Sequence, residues 1–241
     1  NPVAMTDFAH RGVHEMTVLG KQVVGEFYGN APRHSFFQGC STGGRQGLME
    51  AQRYPADYDG IISGAPVYSL LVQTSNVVRD QIFKAPGAGI SVPLLAKVNQ
   101  TVLAACDAQD GVADGVVTDP RKCGWDPAAM QCKAGEPGDS CLTSSQVAAL
   151  RKAYTTIRDA GGVVGNHALT RGGEAGWNPF VPTMPEGTRN AMNGDLGELV
   201  PYIFPNGGFD PAKFDPLKDQ AAVHRTPFAA EYEASNADLK P

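Results

Sequence analysis

Along the first quarter of the chain the apolar positions change spacing, and each change predicts a different element. Over 6–28, which contain no proline, Phe8, Val13, Met16, Val23, Val24 and Phe27 recur at mixed spacings of three and four, predicting an amphipathic helix closed by Gly29-Asn30. After Pro32 the aromatic-rich run 34–38 stops at Gly39 and predicts a buried strand. Helix formers over 43–54 halt at Pro55, and Asp59-Gly60 then turns the chain into a second apolar run, 61–64, read as the next strand. Strand, tight turn, helix and strand predict one right-handed unit of a parallel sheet, so the fold class is α/β.

Beyond about residue 67 glycine and proline become frequent and the apolar runs shorten. Helices are predicted at 93–106 and, behind the start signal Thr143-Ser144-Ser145, at 146–160. From there to the last residue the sequence reads mostly as loop, which in a compact domain suits a binding surface. No fixed-period repeat is visible. The chain therefore divides into a partial sheet domain at 1–66 and a larger, loop-rich region at 67–241.

Composition narrows the partners. An apolar content of 42% over 241 residues supplies a sizeable core. A net charge of -5 from 20 basic and 25 acidic residues gives no cationic face, which argues against nucleic acid or an anionic membrane as partner. The longest apolar runs, 69–72 and 98–105, fall far short of the roughly 18 residues that span a bilayer. The first residues, 1–6, carry no basic or apolar leader pattern. The oligomeric state is left open.

Five cysteines, Cys40, Cys106, Cys123, Cys132 and Cys141, point to an oxidising compartment, secreted or periplasmic. The economical pairing of the clustered four is Cys106 with Cys123 and Cys132 with Cys141, leaving Cys40 as a free thiol or with a partner elsewhere. Zinc is the rival reading for clustered cysteines, but no C-x-x-C or paired-histidine spacing supports it.

Two clusters carry chemistry. Gly39-Cys40-Ser41-Thr42-Gly43 is a G-x-S-x-G sequence between the predicted strand and helix. In that place the serine is lifted off the sheet on a strained elbow, and the Thr42 amide at the helix start can donate to an oxyanion. The bland alternative is a glycine-rich turn. The second cluster, 106–116, sets Asp107, Asp110 and Asp114 around two Asp-Gly turns. It reads equally as a calcium loop or a solvated acidic turn, and no glutamate stands at the twelfth position of an EF-hand. The histidines are His10, His14, His34, His167 and His224. None stands where a general base is expected, after the nucleophile and on a later strand's loop. His10 and His14 read as a solvated helix face rather than a metal pair.

The runs Phe27-Tyr28-Gly29, Pro32-Arg33-His34-Ser35, Gly39 through Gln46, Glu50 through Pro55 and Asp59 through Pro66 resemble the core block of the tannase and feruloyl esterase family. The resemblance implies a partial α/β-hydrolase core followed by a large, disulfide-bonded lid domain. It implies a serine esterase of aromatic carboxylic esters, feruloyl, galloyl or terephthaloyl in type, acting through an acyl-enzyme. Ser41 would be the nucleophile and Thr42 the oxyanion amide, with acid and base outside these 241 residues. A structural Ca2+ is implied in the lid, on the side chains of Asp107, Asp110 and Asp114 and the carbonyls of Val112 and Val116. The family's pairing of the cysteine before the nucleophile with one before the catalytic histidine falls on Cys40; otherwise Cys40 is a small buried hydrophobe. Candidate walls for an aromatic acyl group are Trp177, Phe180, Tyr202 and Phe204, unless they are simply lid core, and Arg171 or Arg189 are candidates for a substrate carboxylate. A chain without acid and base also admits another reading, a non-catalytic, calcium-ordered binding module.

Overall fold

In the computed structural model, which describes residues 1–136, 138–178, 181, 183–184 and 196–239, the chain opens on helix α1 (Pro2–Thr6), whose first turn is capped by the Asn1 side chain. A π turn over Asp7–Arg11 follows and runs into α2 (Gly12–Tyr28), which Gly29 ends at φ 74°. The π turn buries Ala9 and His10. Strands β1 (Phe36–Cys40) and β2 (Gly60–Gly64) pair in parallel, Phe36 opposite Gly60 and Cys40 opposite Gly64, with α3 (Thr42–Arg53) between them in sequence. The predicted strand-helix-strand unit is therefore present.

The strand reading needs one correction. Only the side that meets α3 is covered: Phe36 is 73% and Ile62 65% exposed, and β1 alternates between exposed and half-buried positions. Two strands backed by one helix cover one face, so the pattern predicted for a buried strand is not reached. The same holds for α2, whose apolar stripe, Met16, Leu19, Val23 and Phe27, is exposed while Thr17 on its opposite side is buried.

Two compact units can be described. The first comprises Asn1–Gln73, Glu198–Gly208 and Gln220–Pro241. Besides the elements above it includes α7 (Val200–Ile203) and α9 (Pro227–Tyr232). Phe228 and Tyr232 of α9 are buried and pack their rings against Phe8. Contacts thus group the chain differently from the boundary at 66/67, because these C-terminal apolar side chains return to the early helices.

The second unit comprises Thr74–Gly197 and Phe209–Asp219. It contains most of α4 (Leu70–Phe83), then β3 (Ile90–Ser91), α5 (Val92–Cys106) and α6 (Ser144–Ala153). The β4 (Ile157–Arg158) to β5 (Val164–Asn166) hairpin follows, then β6 (Thr183–Met184) and α8 (Asp219–Val223), whose first residue ends this unit. Leu94, Leu95, Val98 and Val102 of α5 and Val147 and Leu150 of α6 form its core with Trp125, Leu142, Tyr154 and Trp177. Ser91 caps α5, and Thr143 and Gln146 form a reciprocal capping box on α6. The helix predicted to 160 stops at Ala153, and the chain turns into β4. The Cys106–Cys123 and Cys132–Cys141 disulfides are both formed, and Cys40 is free and exposed. Among the described residues no helix is long and apolar enough to cross a membrane.

Candidate active site

Ser41 sits at the hinge between β1 and α3 at φ 59°, ψ -117°. A non-glycine residue pays for that conformation only when its surroundings fix it. Three backbone bonds do so: Ser41 N–H donates to the Gly64 carbonyl at 3.0 Å, and its own carbonyl accepts from Arg45 at 3.1 Å and Val67 at 3.2 Å. The glycines follow from the closeness of the chain here. A Cβ on Gly39 would lie 2.3 Å from the Gly43 carbonyl oxygen, and one on Gly44 2.4 Å from that of Gly64. Gly43 itself has room, with nothing nearer than 4.0 Å.

Ser41 and Thr42 are exposed, so the hydroxyl is presented to solvent at the first turn of α3. The Thr42 N–H is one of the amides that a helix start leaves without an intrahelical acceptor. Among the described residues no histidine bonds to Ser41. His224 lies between Glu233, 3.1 Å from Nδ1, and Gln220, 2.8 Å from Nε2. His34 and His167 are exposed.

Below the elbow the interior is polar. Arg45 is fully buried, donates to the carbonyls of Ala9 and Phe8, and lies 4.3 Å from the centre of the Tyr232 ring. His10 and His14, expected on a solvated face, are instead tied down. His10 is buried and joins the Tyr54 hydroxyl at 2.7 Å and Glu231 at 2.6 Å. The His14 ring stacks on Tyr54 at 3.9 Å, and its Nδ1 is 2.6 Å from Asp57. Carboxylates distant in sequence supply the partners that the local spacing lacked. Fully buried Glu50 has no hydrogen-bond partner for either oxygen while it is ionised. Burial and neighbouring Asp57 push its carboxyl up to about 7, and once protonated it donates to Asp57.

In the acidic loop Asp107 accepts from the amides of Asp114 and Gly115, Asp110 from Val112 and the Thr118 hydroxyl, and Asp114 from Val116. Gly111 and Gly115 take positive φ to make the two turns. The Thr118 bond is the leading cause that holds the Asp110 carboxyl below the usual range. The donor set fits a hard ion: it is all oxygen, and among the described residues none of the three aspartates forms an ion pair, whereas Asp119 beside them meets Arg121 and Lys122. The three carboxylates nevertheless turn onto the loop's own amides and do not gather one oxygen each within 4.8 Å; among the described residues His14, Glu50 and Asp57 do.

The proposed acyl walls divide. Trp177 is buried in the second unit's core, 5.5 Å from Tyr154, which removes it as a pocket wall. Tyr202 packs on Phe228 at 5.4 Å, and Phe204 follows it at the end of α7. Arg171 donates to the Trp125 carbonyl and stacks on Tyr154, so its guanidinium is engaged within its own unit. Phe180 and Arg189 lie outside the described residues. Sequence reading missed Glu174, fully buried, which accepts from the Tyr154 hydroxyl, Asn99 and the Gly172 amide. Its one local signal was a lone glutamate among glycines before Trp177.

Comparison with known proteins gives the family. A family profile described as "Tannase and feruloyl esterase" matches residues 1–239. A probable feruloyl esterase B of Aspergillus niger is 37% identical over 182 residues, covering 73% of this chain and 34% of that protein. A probable feruloyl esterase B-1 of Aspergillus flavus is 31% identical over 231 residues, covering 95% and 43%. The crystal structure of feruloyl esterase B from Aspergillus oryzae superposes with a TM-score of 0.79 at 26% identity, covering 97% of this chain and 46% of its own. The chain thus spans less than half the length of these relatives. The elbow at Ser41 and the profile match across nearly its whole length lead to one conclusion: this chain belongs to the tannase and feruloyl esterase family.

Proposed function

We propose that the protein carrying this chain is a secreted or periplasmic serine esterase of aromatic carboxylic esters, feruloyl, galloyl or terephthaloyl in type. The strained, exposed Ser41 between β1 and α3 is the observation that supports this reading most directly. Ser41 Oγ would bond to the ester carbonyl carbon as its proton passes to a histidine supplied from outside these residues. The alcohol would leave with that proton, and water would then release the acid. The Thr42 amide would donate to the oxyanion. Cys40, free and exposed beside the serine, would pair with a cysteine elsewhere in the protein.

Asp107, Asp110 and Asp114, with the Val112 and Val116 carbonyls, would hold Ca2+ in the second unit, where it would draw the three carboxylates together and fix the loop. Oxidised Cys106–Cys123 and Cys132–Cys141 support an oxidising compartment.

The test is hydrolysis of chromogenic ferulate and gallate esters by the full-length protein. Ser41→Ala is expected to lower turnover on the order of 10⁴ to 10⁶ with the fold unchanged. Turnover that survives Ser41→Ala would refute the assignment, and a full-length protein without esterase activity would favour the binding-module reading.

A further inference from the structure

A second cluster lies inside the first unit, away from the acidic loop, on α2, α3 and the turn after α3. His14, Glu50 and Asp57 each bring one ligand atom within 4.8 Å of the others. Glu50 is fully buried, Asp57 is buried and His14 is half-buried, which leaves a path from solvent on the histidine side. Neither Glu50 oxygen has a hydrogen-bond donor, and one of them is the atom that faces His14 and Asp57 within 4.8 Å. Tyr54 fixes the imidazole by stacking on its face. The Lys21 ammonium is the nearby cation, but it is spent on the Asp57 main-chain carbonyl and takes none of the three ligand positions.

Two carboxylates this close, one of them sealed from water, are held either by a proton on Glu50 or, when both are ionised, by a positive charge between them. One imidazole nitrogen with carboxylate oxygens is a borderline donor set that suits zinc better than calcium. We propose that His14, Glu50 and Asp57 form a site for a zinc-type divalent ion that staples α2 to α3 and to the turn behind it. The site is independent of the esterase reading and of the acidic loop.

The experiment uses the full-length protein, stripped of metal and titrated with Co2+ as a visible probe, and separately with Zn2+ while melting is followed. One equivalent of Co2+ is expected to give ligand-field bands, and Zn2+ to raise Tm. Glu50→Gln and His14→Ala should each weaken Co2+ binding by about tenfold or more, whereas Asp110→Ala should leave the bands in place. Should those variants fail to fold, zinc-edge absorption of the wild-type protein reads the shell directly: nitrogen with oxygen is expected. An all-oxygen or sulfur shell, bands that survive both substitutions, or no bands and no Tm shift would overturn the proposal. The last result would mean that a proton shared between Glu50 and Asp57 fills the gap alone.

Discussion

The two units solve the problem of burial differently. The second closes a core of its own: α5 and α6 pack through Leu94, Val98, Val102 and Leu150 around Trp125 and Trp177, two disulfides pin the adjoining loops, and its buried carboxylate Glu174 has its donors in place. The first exposes the apolar stripe of α2, with Phe27 79% open to solvent, and leaves both oxygens of fully buried Glu50 without a hydrogen-bond partner; single buried atoms of Arg79 and Asn166 in the second unit are left the same way. It also carries the strained serine. The contrast teaches that the elbow and its strained serine sit on elements with uncovered apolar faces, while the part that reads as irregular loop holds a core of its own. Regular strands and helices do not by themselves make a closed core; covered faces do.

Four substitutions or treatments can break or sharpen that contrast. The largest effect is expected from Glu174→Ala, which leaves the Tyr154 hydroxyl, the Asn99 amide and the Gly172 N–H without their buried acceptor. A loss of about 4 kcal/mol in denaturant unfolding should follow; a loss below about 1 kcal/mol would mean that the second unit does not depend on this hub. Next comes Gly44→Ala, whose methyl would stand 2.4 Å from the Gly64 carbonyl oxygen. We expect a cost of about 3 kcal/mol and loss of esterase activity, while Gly43→Ala, which has room, should be neutral or stabilising by up to about 1 kcal/mol. Equal effects at the two positions would contradict the close approach at the elbow.

Third, serine replacements that open Cys106–Cys123, a separation of 17 residues, should cost about 3 kcal/mol, and those that open Cys132–Cys141, a separation of 9, slightly less. Thiol titration under denaturing conditions should find one reactive group in the unreduced chain, Cys40. The smallest effect is chelation. If calcium stands at a hundred times its Kd, its removal should cost about 2.7 kcal/mol, read as a Tm that falls with a strong chelator and recovers with calcium. Asp110→Ala should abolish that response; a Tm indifferent to both would leave 107–116 as a solvated turn.

Much of the elbow was legible because its constraints are local. Gly39 and Ser41 lie two residues apart, and Gly39 marks where backbone must approach backbone; on the other flank the motif pointed to Gly43, which has room, and the close approach falls on Gly44. Nearness in sequence also made the cysteine pairing legible. The cluster of His14, Glu50 and Asp57 was not: its members stand 36 and 7 positions apart, and only the packing of α2 on α3 and the following turn brings them together. Nor was the place of Arg171, a candidate for a substrate carboxylate by its loop position alone, which Trp125 and Tyr154 hold within its own unit.

Sequence alone settled what short-range physics decides: the strand-helix-strand order of 36–64, the start of α6 though not its end, the two Asp-Gly turns of 107–116, the pairing of nearby cysteines and the place of a strained serine between strand and helix. Tertiary structure alone decided which faces are covered. The stripe of α2 is the same whether it meets a partner or water, and Phe228 and Tyr232 must travel the length of the chain to meet Phe8 and Arg45. Burial is a property of what packs on a residue, and for these residues the packing partner is far away in the chain.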